Sequence, residues 1–276
     1  MKLDVSLWTL SDNPMVEGFL AISNIHATNG DRIRMYGFGN TRSNLNYMEQ
    51  NSLANSSPDN KDYGHWFKAT NIDKGAPIAG DSGSVFINEE HYIVGVLRST
   101  FQNTKECNNS YYCNDNSAFG NGFFDKETQT FVLNTINGWN APNIIRNVTI
   151  DGKVLKIQSL HIDTLDILNT LSAKGDVNID YSKIRCFTPD NHHEVIHGTT
   201  EVAPYDVCEI PLTSGGGEGT VILSNEQKVF VNPIKNTVEP PIQEGGGGSM
   251  GVQWLLGMLG MIFLRFKKIN FNNNEV

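Results

Sequence analysis

Apolar residues in this 276-residue chain come in short runs, each closed off by Asn, Asp, Gly or Ser. Long stretches with helical spacing are scarce, and 26 glycines punctuate the sequence. Short β-branched or aromatic runs between turn-formers are what strands require, so the pattern predicts an all-β fold. The expected strands of the first half are Val5–Leu10, Arg32–Gly37, Ser84–Ile87, Tyr92–Leu97 and Gly122–Phe124. Phe131–Ile136, apolar apart from Asn134 and Thr135, is expected to open a short helix, while the Asn-rich stretch Asn44–Asp62 reads as a surface loop.

The same reading divides the chain. Residues 1–140 make one unit. Residues 141–235 make a second, with strands expected at Asn147–Ile150, Val154–Ile157, Leu165–Leu168, Val177–Ile179 and Val221–Leu223. Turn signals such as Asp151-Gly152 separate them, which suggests a small β-sandwich. Residues 236–249 form a Pro/Gly-rich linker, since Pro240-Pro241 and the glycines that follow cannot hold a packed element. The Gly215–Gly217 cluster reads as a loop inside the second unit. Residues 250–268 are an apolar segment ending in Arg265, Lys267 and Lys268. As a helix its apolar run Met250–Phe266 would span about 25 Å, slightly short of a hydrocarbon core of roughly 30 Å. A membrane segment with basic residues on the cytoplasmic side is the expectation, and a buried C-terminal helix is the alternative.

With 30 Asp+Glu against 21 Lys+Arg, the chain is acidic, which argues against nucleic acid as a partner. Four cysteines fall into two local pairs, Cys107 with Cys113 and Cys186 with Cys208. That usage fits disulfides in an oxidising compartment. Yet no charged-then-apolar leader precedes the strand-like run after Met1, so the chain is expected to start late.

Gly80-Asp81-Ser82-Gly83-Ser84 lies between two apolar runs. A serine on a tight turn flanked by glycines can present its hydroxyl while the neighbouring N–H groups face a developing oxyanion. A hairpin loop of the same composition is the plain alternative. Two further segments accompany it: Asp4-Val5-Ser6-Leu7-Trp8-Thr9-Leu10, and Gly30 to Thr41 with Gly37-Phe38-Gly39-Asn40-Thr41 at its end. In this order the three segments resemble the chymotrypsin/trypsin family of serine endopeptidases. The resemblance covers residues 1–140, about the last two-thirds of such a domain. It implies an incomplete chymotrypsin-like double β-barrel acting on protein or peptide substrates without a cofactor or metal. By that resemblance Ser82 is the nucleophile, and Asp4 is the carboxylate that orients the catalytic histidine. Gly80 and Ser82 form the oxyanion hole, and Asp81 is the buried acid that pairs with a newly cleaved N-terminus. Ala76 and Ser99 line the specificity pocket, with Ala76 suggesting a small or apolar primary site. The family's histidine precedes its aspartate by tens of residues. Here His26, His65 and His91 all follow Asp4, so the base is absent from its position. A non-catalytic, surface-anchored binding protein on a degenerate scaffold is the second expectation.

Gly245, Gly246, Gly247, Gly248 and Ser249, followed by the apolar run and Arg265-Phe266-Lys267-Lys268, resemble a GlyGly-CTERM sorting signal. That resemblance implies export in a Gram-negative bacterium, a rhomboid-type sorting protease acting near the glycines, and a secreted or cell-surface destination. His193-Glu194-Val195-Ile196-His197 matches the zincin pattern. It needs a helix to bring both histidines to one metal. The surrounding Pro189, Gly198 and Pro204 favour loop or strand, in which the histidines stand about 13 Å apart. Sequons at Asn55, Asn109 and Asn147 are read as incidental.

Overall fold

The structure is a computed structural model that describes residues 5–8, 10, 14–25, 30–38, 45–53, 66–73, 77, 80–101, 117–189, 200–224 and 227–234. It is mostly β-sheet with few helices. Met1–Ile234 groups into one compact unit. The linker and the apolar segment expected over 236–268 lie outside the described residues. Among the described residues no helix is long and apolar enough to cross a membrane.

Six strands close into a barrel: β1 (Arg32–Gly37), β2 (Asn46–Leu53), β3 (Trp66–Asp73), β4 (Val85–Asn88), β5 (Ile93–Phe101) and β6 (Ser117–Gly122). Their order around the barrel is β1-β2-β3-β6-β5-β4, and every pairing is antiparallel. Alternation on β1 explains its place. Ile33 and Met35 point inward and are fully buried, while Arg32 and Tyr36 face out. Ala69, Phe86, Val94, Leu97 and Ala118 complete that interior from four other strands. β2 corrects the loop expected at 44–62. Its sequence is polar, but β1 and β3 flank it and supply both hydrogen-bonding partners that closure requires. The strand expected at Val5–Leu10 is not formed over its described residues. Trp8 is 85% exposed and Leu10 59% exposed, with no neighbouring ladder.

Helix α1 (Lys126–Ile136) follows the barrel. Asp125 caps its start by accepting from the Thr128 N–H, and Asn137 ends it in the left-handed region at φ 37°. The apolar run 131–136 therefore closes the helix rather than opening it.

The second half carries β7 (Gly138–Asn140), β8 (Ile144–Ile145), β9 (Lys153–Leu160), β10 (Leu165–Asp166), a one-turn helix α2 (Ile167–Thr170) and β11 (Ser172–Gly175). Next come β12 (Asn178–Ile179), β13 (Arg185–Phe187), β14 (Glu201–Val202), β15 (Val207–Thr213), β16 (Gly219–Ile222) and β17 (Lys228–Val231). One sheet runs β12-β15-β9-β7, with β13 also on β15, and another runs β11-β16-β17-β8. Leu155, Ile157, Ile210 and Leu212 from the first meet Val221, Val229 and Val231 from the second in one dry core. Cys186 and Cys208 face each other across β13 and β15 and are joined by a disulfide. The other expected pair, Cys107 and Cys113, lies outside the described residues.

Residues 147–150 do not form the expected strand; the Gly152 N–H donates to the Thr149 carbonyl at 3.1 Å and closes a turn over 149–152. Asn147 sits at φ 57° and Gly152 at φ 87°, so the Asp151-Gly152 turn begins earlier than its sequence signal. The glycine loop at 215–217 is held by Asp176, whose carboxylate accepts the N–H groups of Gly215 and Gly217 and the Ser214 hydroxyl. Those N–H groups, led by Gly215, hold the Asp176 carboxyl below its usual range.

Candidate active site

The Gly80–Ser84 turn enters β4, and four hydrogen bonds fix it. The Ser84 N–H donates to the Asp81 carbonyl at 3.0 Å, closing the turn on itself. The Gly83 N–H donates to the Leu97 carbonyl at 2.9 Å, and the Leu97 N–H donates back to the Ser84 carbonyl at 2.8 Å. These two bonds extend the β4–β5 ladder through the turn. Finally, Asp81 is buried, and its Oδ1 accepts the N–H of Phe38, the residue after β1, at 2.9 Å. The turn is thus tied to both neighbours of β4 in the barrel wall.

Two glycines carry the conformation. Gly80 has φ 108° and Gly83 has φ 89°, a region costly for any residue with a Cβ. Between them Ser82 is exposed. Among the described residues, no protein group accepts from the N–H of Gly80 or Ser82. On its nucleophile side an acyl-transfer site needs a presented hydroxyl and N–H donors that converge on one point beside it.

Ser99 lies on β5, exposed, two residues from Leu97. A register shift between Leu97 and Ser99 interrupts the β5–β6 ladder there. The turn meets β5 through Gly83 and Ser84 at Leu97, two residues before Ser99. Asp4, Ala76, His26 and His65 lie outside the described residues, as do Gly245–Gly248 and the His193–His197 motif. The barrel supplies no imidazole to the turn among its described residues. His91 occupies the β4–β5 hairpin turn at φ 66°, at the end of β4 away from Ser82. The four residues of β4 alone separate the two ends by about 13 Å.

His161 belongs to the second half of the unit. Its Nε2 lies 3.0 Å from Ser224 Oγ, its Nδ1 lies 3.3 Å from Ser159 Oγ, and its ring meets Trp139 edge-on. Burial lowers its pKa below the ordinary imidazole value. No group of three or more His, Cys, Asp or Glu side chains among the described residues could hold a metal ion.

The turn's supports were not apparent from sequence. Phe38 and Leu97 act through their main chains, so no side-chain pattern marks them. No protein-family model matches the chain, and no characterised protein matches it.

Proposed function

We propose that this chain is a serine-type endopeptidase domain of the chymotrypsin/trypsin kind, carrying the nucleophile half of the site. One observation supports this above the rest. Ser82 is exposed on a turn whose glycines at 80 and 83 hold positive φ, and the N–H groups of Gly80 and Ser82 have no acceptor among the described residues. The single closed barrel suits one of the two barrels that the resemblance implies. In this reading Ser82 Oγ attacks a peptide carbonyl carbon. The carbonyl oxygen takes up negative charge beside the Gly80 and Ser82 N–H groups. In a complete site of this kind the hydroxyl proton passes to an imidazole oriented by the Asp4 carboxylate, and that imidazole then protonates the leaving amine; imidazole added in solution would stand in for that base here. The described residues place no imidazole at the turn; a site of this kind working without its base keeps the share from binding and the oxyanion hole, about 10³–10⁴-fold over water. The substrate is a protein or peptide. The tail sorts the protein to the cell surface of a Gram-negative bacterium, with a membrane stage before cleavage near Gly245–Gly248.

A second reading is a non-catalytic, surface-anchored binding protein on a degenerate scaffold. Its support is the position of the described imidazoles, His91 at the wrong end of β4 and His161 between two hydroxyls of the sheet sandwich. Hydrolysis of a peptide thioester with and without added imidazole separates the two. A Ser82-dependent rise on adding imidazole supports the peptidase reading. The same rate in Ser82→Ala supports the binding protein.

A further inference from the structure

Residues 14–24 cross the junction between the barrel and the sheet sandwich as an extended strap. On one edge the Ile93 N–H donates to the Ala21 carbonyl at 2.8 Å, and the Ser23 N–H donates to the Ile93 carbonyl at 2.9 Å. The other edge meets mainly side-chain amides. Asn143 Oδ1 accepts the Val16 N–H at 2.7 Å while its Nδ2 donates to the Pro14 carbonyl. Asn140 Nδ2 donates to the Leu20 carbonyl at 3.2 Å. Gln158 reads Ile22 twice, accepting its N–H at 2.8 Å and donating to its carbonyl at 2.7 Å. Gln129 donates to the Asn24 carbonyl at 3.0 Å.

The amide contacts fall on residues 14, 16, 20, 22 and 24, all even, whereas Ile93 takes 21 and 23. An extended chain sends the polar groups of successive residues to opposite edges, so the amides substitute for a neighbouring strand. Of the strap's side chains, Glu17 accepts from Arg146 Nε at 2.6 Å, and Ala21 and Ile22 pack on neighbouring buried clusters. Met15 is 69% exposed and Leu20 is 38% exposed, whereas Ala21, Ile22 and Ser23 turn inward. Gln158 is fully buried, and its amide also contacts Asn140 and the Tyr205 carbonyl. Without an extended backbone beside it, two of those buried hydrogen bonds go unmade, at real cost.

We propose that Asn140, Asn143, Gln158 and Gln129 form a peptide-binding site, filled here by the chain's own residues 14–24. It takes an extended peptide of tolerant sequence whose three central residues are small, apolar and small. The strap is tethered, so its effective concentration is on the order of millimolar, and it outcompetes free peptide. This inference does not depend on the peptidase reading.

The test uses the full chain and a fluorescent synthetic peptide of residues 13–25. Ile22→Pro removes the strap's central N–H and opens the site. The peptide is expected to bind the Ile22→Pro chain at micromolar concentration and not to bind the unaltered chain. N-methylation of the peptide at Ile22 is expected to weaken binding about fivefold, the worth of one hydrogen bond. Alanine at Met15 and Leu20 of the peptide is expected to leave affinity within about twofold. No binding to a folded Ile22→Pro chain, or equal binding by the N-methylated peptide, overturns the proposal. If Ile22→Pro does not fold, hydrogen exchange in Asn143→Ala decides. A selective loss of protection at the Val16 amide, with Val94 unchanged, supports the site, and unchanged protection at Val16 overturns it.

Discussion

Removing the Cys186–Cys208 disulfide should weaken the second half of the unit by an amount its loop length sets. The two residues are 22 apart in sequence. In the chain-entropy account, releasing a loop of that size returns about 3 kcal/mol to the unfolded state. Both cysteines are buried, so alanine is the appropriate replacement, because a serine hydroxyl would be desolvated there. With a urea slope of about 2–3 kcal/mol per molar, Cys186→Ala/Cys208→Ala should lower the midpoint by about 1–1.5 M. Hydrogen exchange read at β9 and β15 should show the same loss, because β15 joins β13 to β9 through the hydrogen-bond ladder. The reduced unaltered protein should behave like the double variant. A midpoint unchanged by both reduction and substitution would refute the reasoning, since the bond would then constrain nothing in the unfolded chain.

Alanine at Gly83 should cost about 1–2 kcal/mol, because φ 89° is unfavourable for a residue with a Cβ; a thermal midpoint equal to that of the unaltered protein contradicts this. His161 is kept neutral by burial, so its folded pKa lies below its unfolded value. The unfolded state therefore binds the proton first. Stability should fall as pH drops through about 6.5 and level off below the folded pKa. His161→Gln should remove that component of the pH profile, as urea midpoints between pH 7.5 and 5 would show. In a host with the sorting protease, intact mass of the exported protein should place its C-terminus near Gly245–Ser249. A mature form retaining Trp254 and Phe263 would mark a permanent membrane segment.

Sequence alone identified β1, because Ile33 and Met35 alternate with Arg32 and Arg34, and period two survives any context. It did not identify β2. Asn46–Leu53 is polar enough for a loop, and it becomes a strand only because barrel closure puts β1 and β3 beside it. Val5–Leu10 shows the converse, a strand-like pattern with no ladder to join. Strand preference measures fit to neighbours, which one sequence does not display. The candidate site follows the same logic. Its glycines and serine stand out as Gly80-Asp81-Ser82-Gly83. The Phe38 N–H and the Leu97 main chain that hold the turn are hidden, because any residue can supply them. The strap is hidden too, since its amide partners at 129, 140, 143 and 158 carry no spacing signal and act only once folded.

In the proposed reading Ser82 is a nucleophile beside an oxyanion site made by the Gly80 and Ser82 N–H groups. Incubation with a fluorophosphonate, followed by intact mass and peptide mapping, tests it most directly. The predicted result is one phosphonyl adduct on Ser82, formed slowly, accelerated by added imidazole and absent in Ser82→Ala. An adduct at another residue, or equal labelling of the Ser82→Ala protein, would contradict the account.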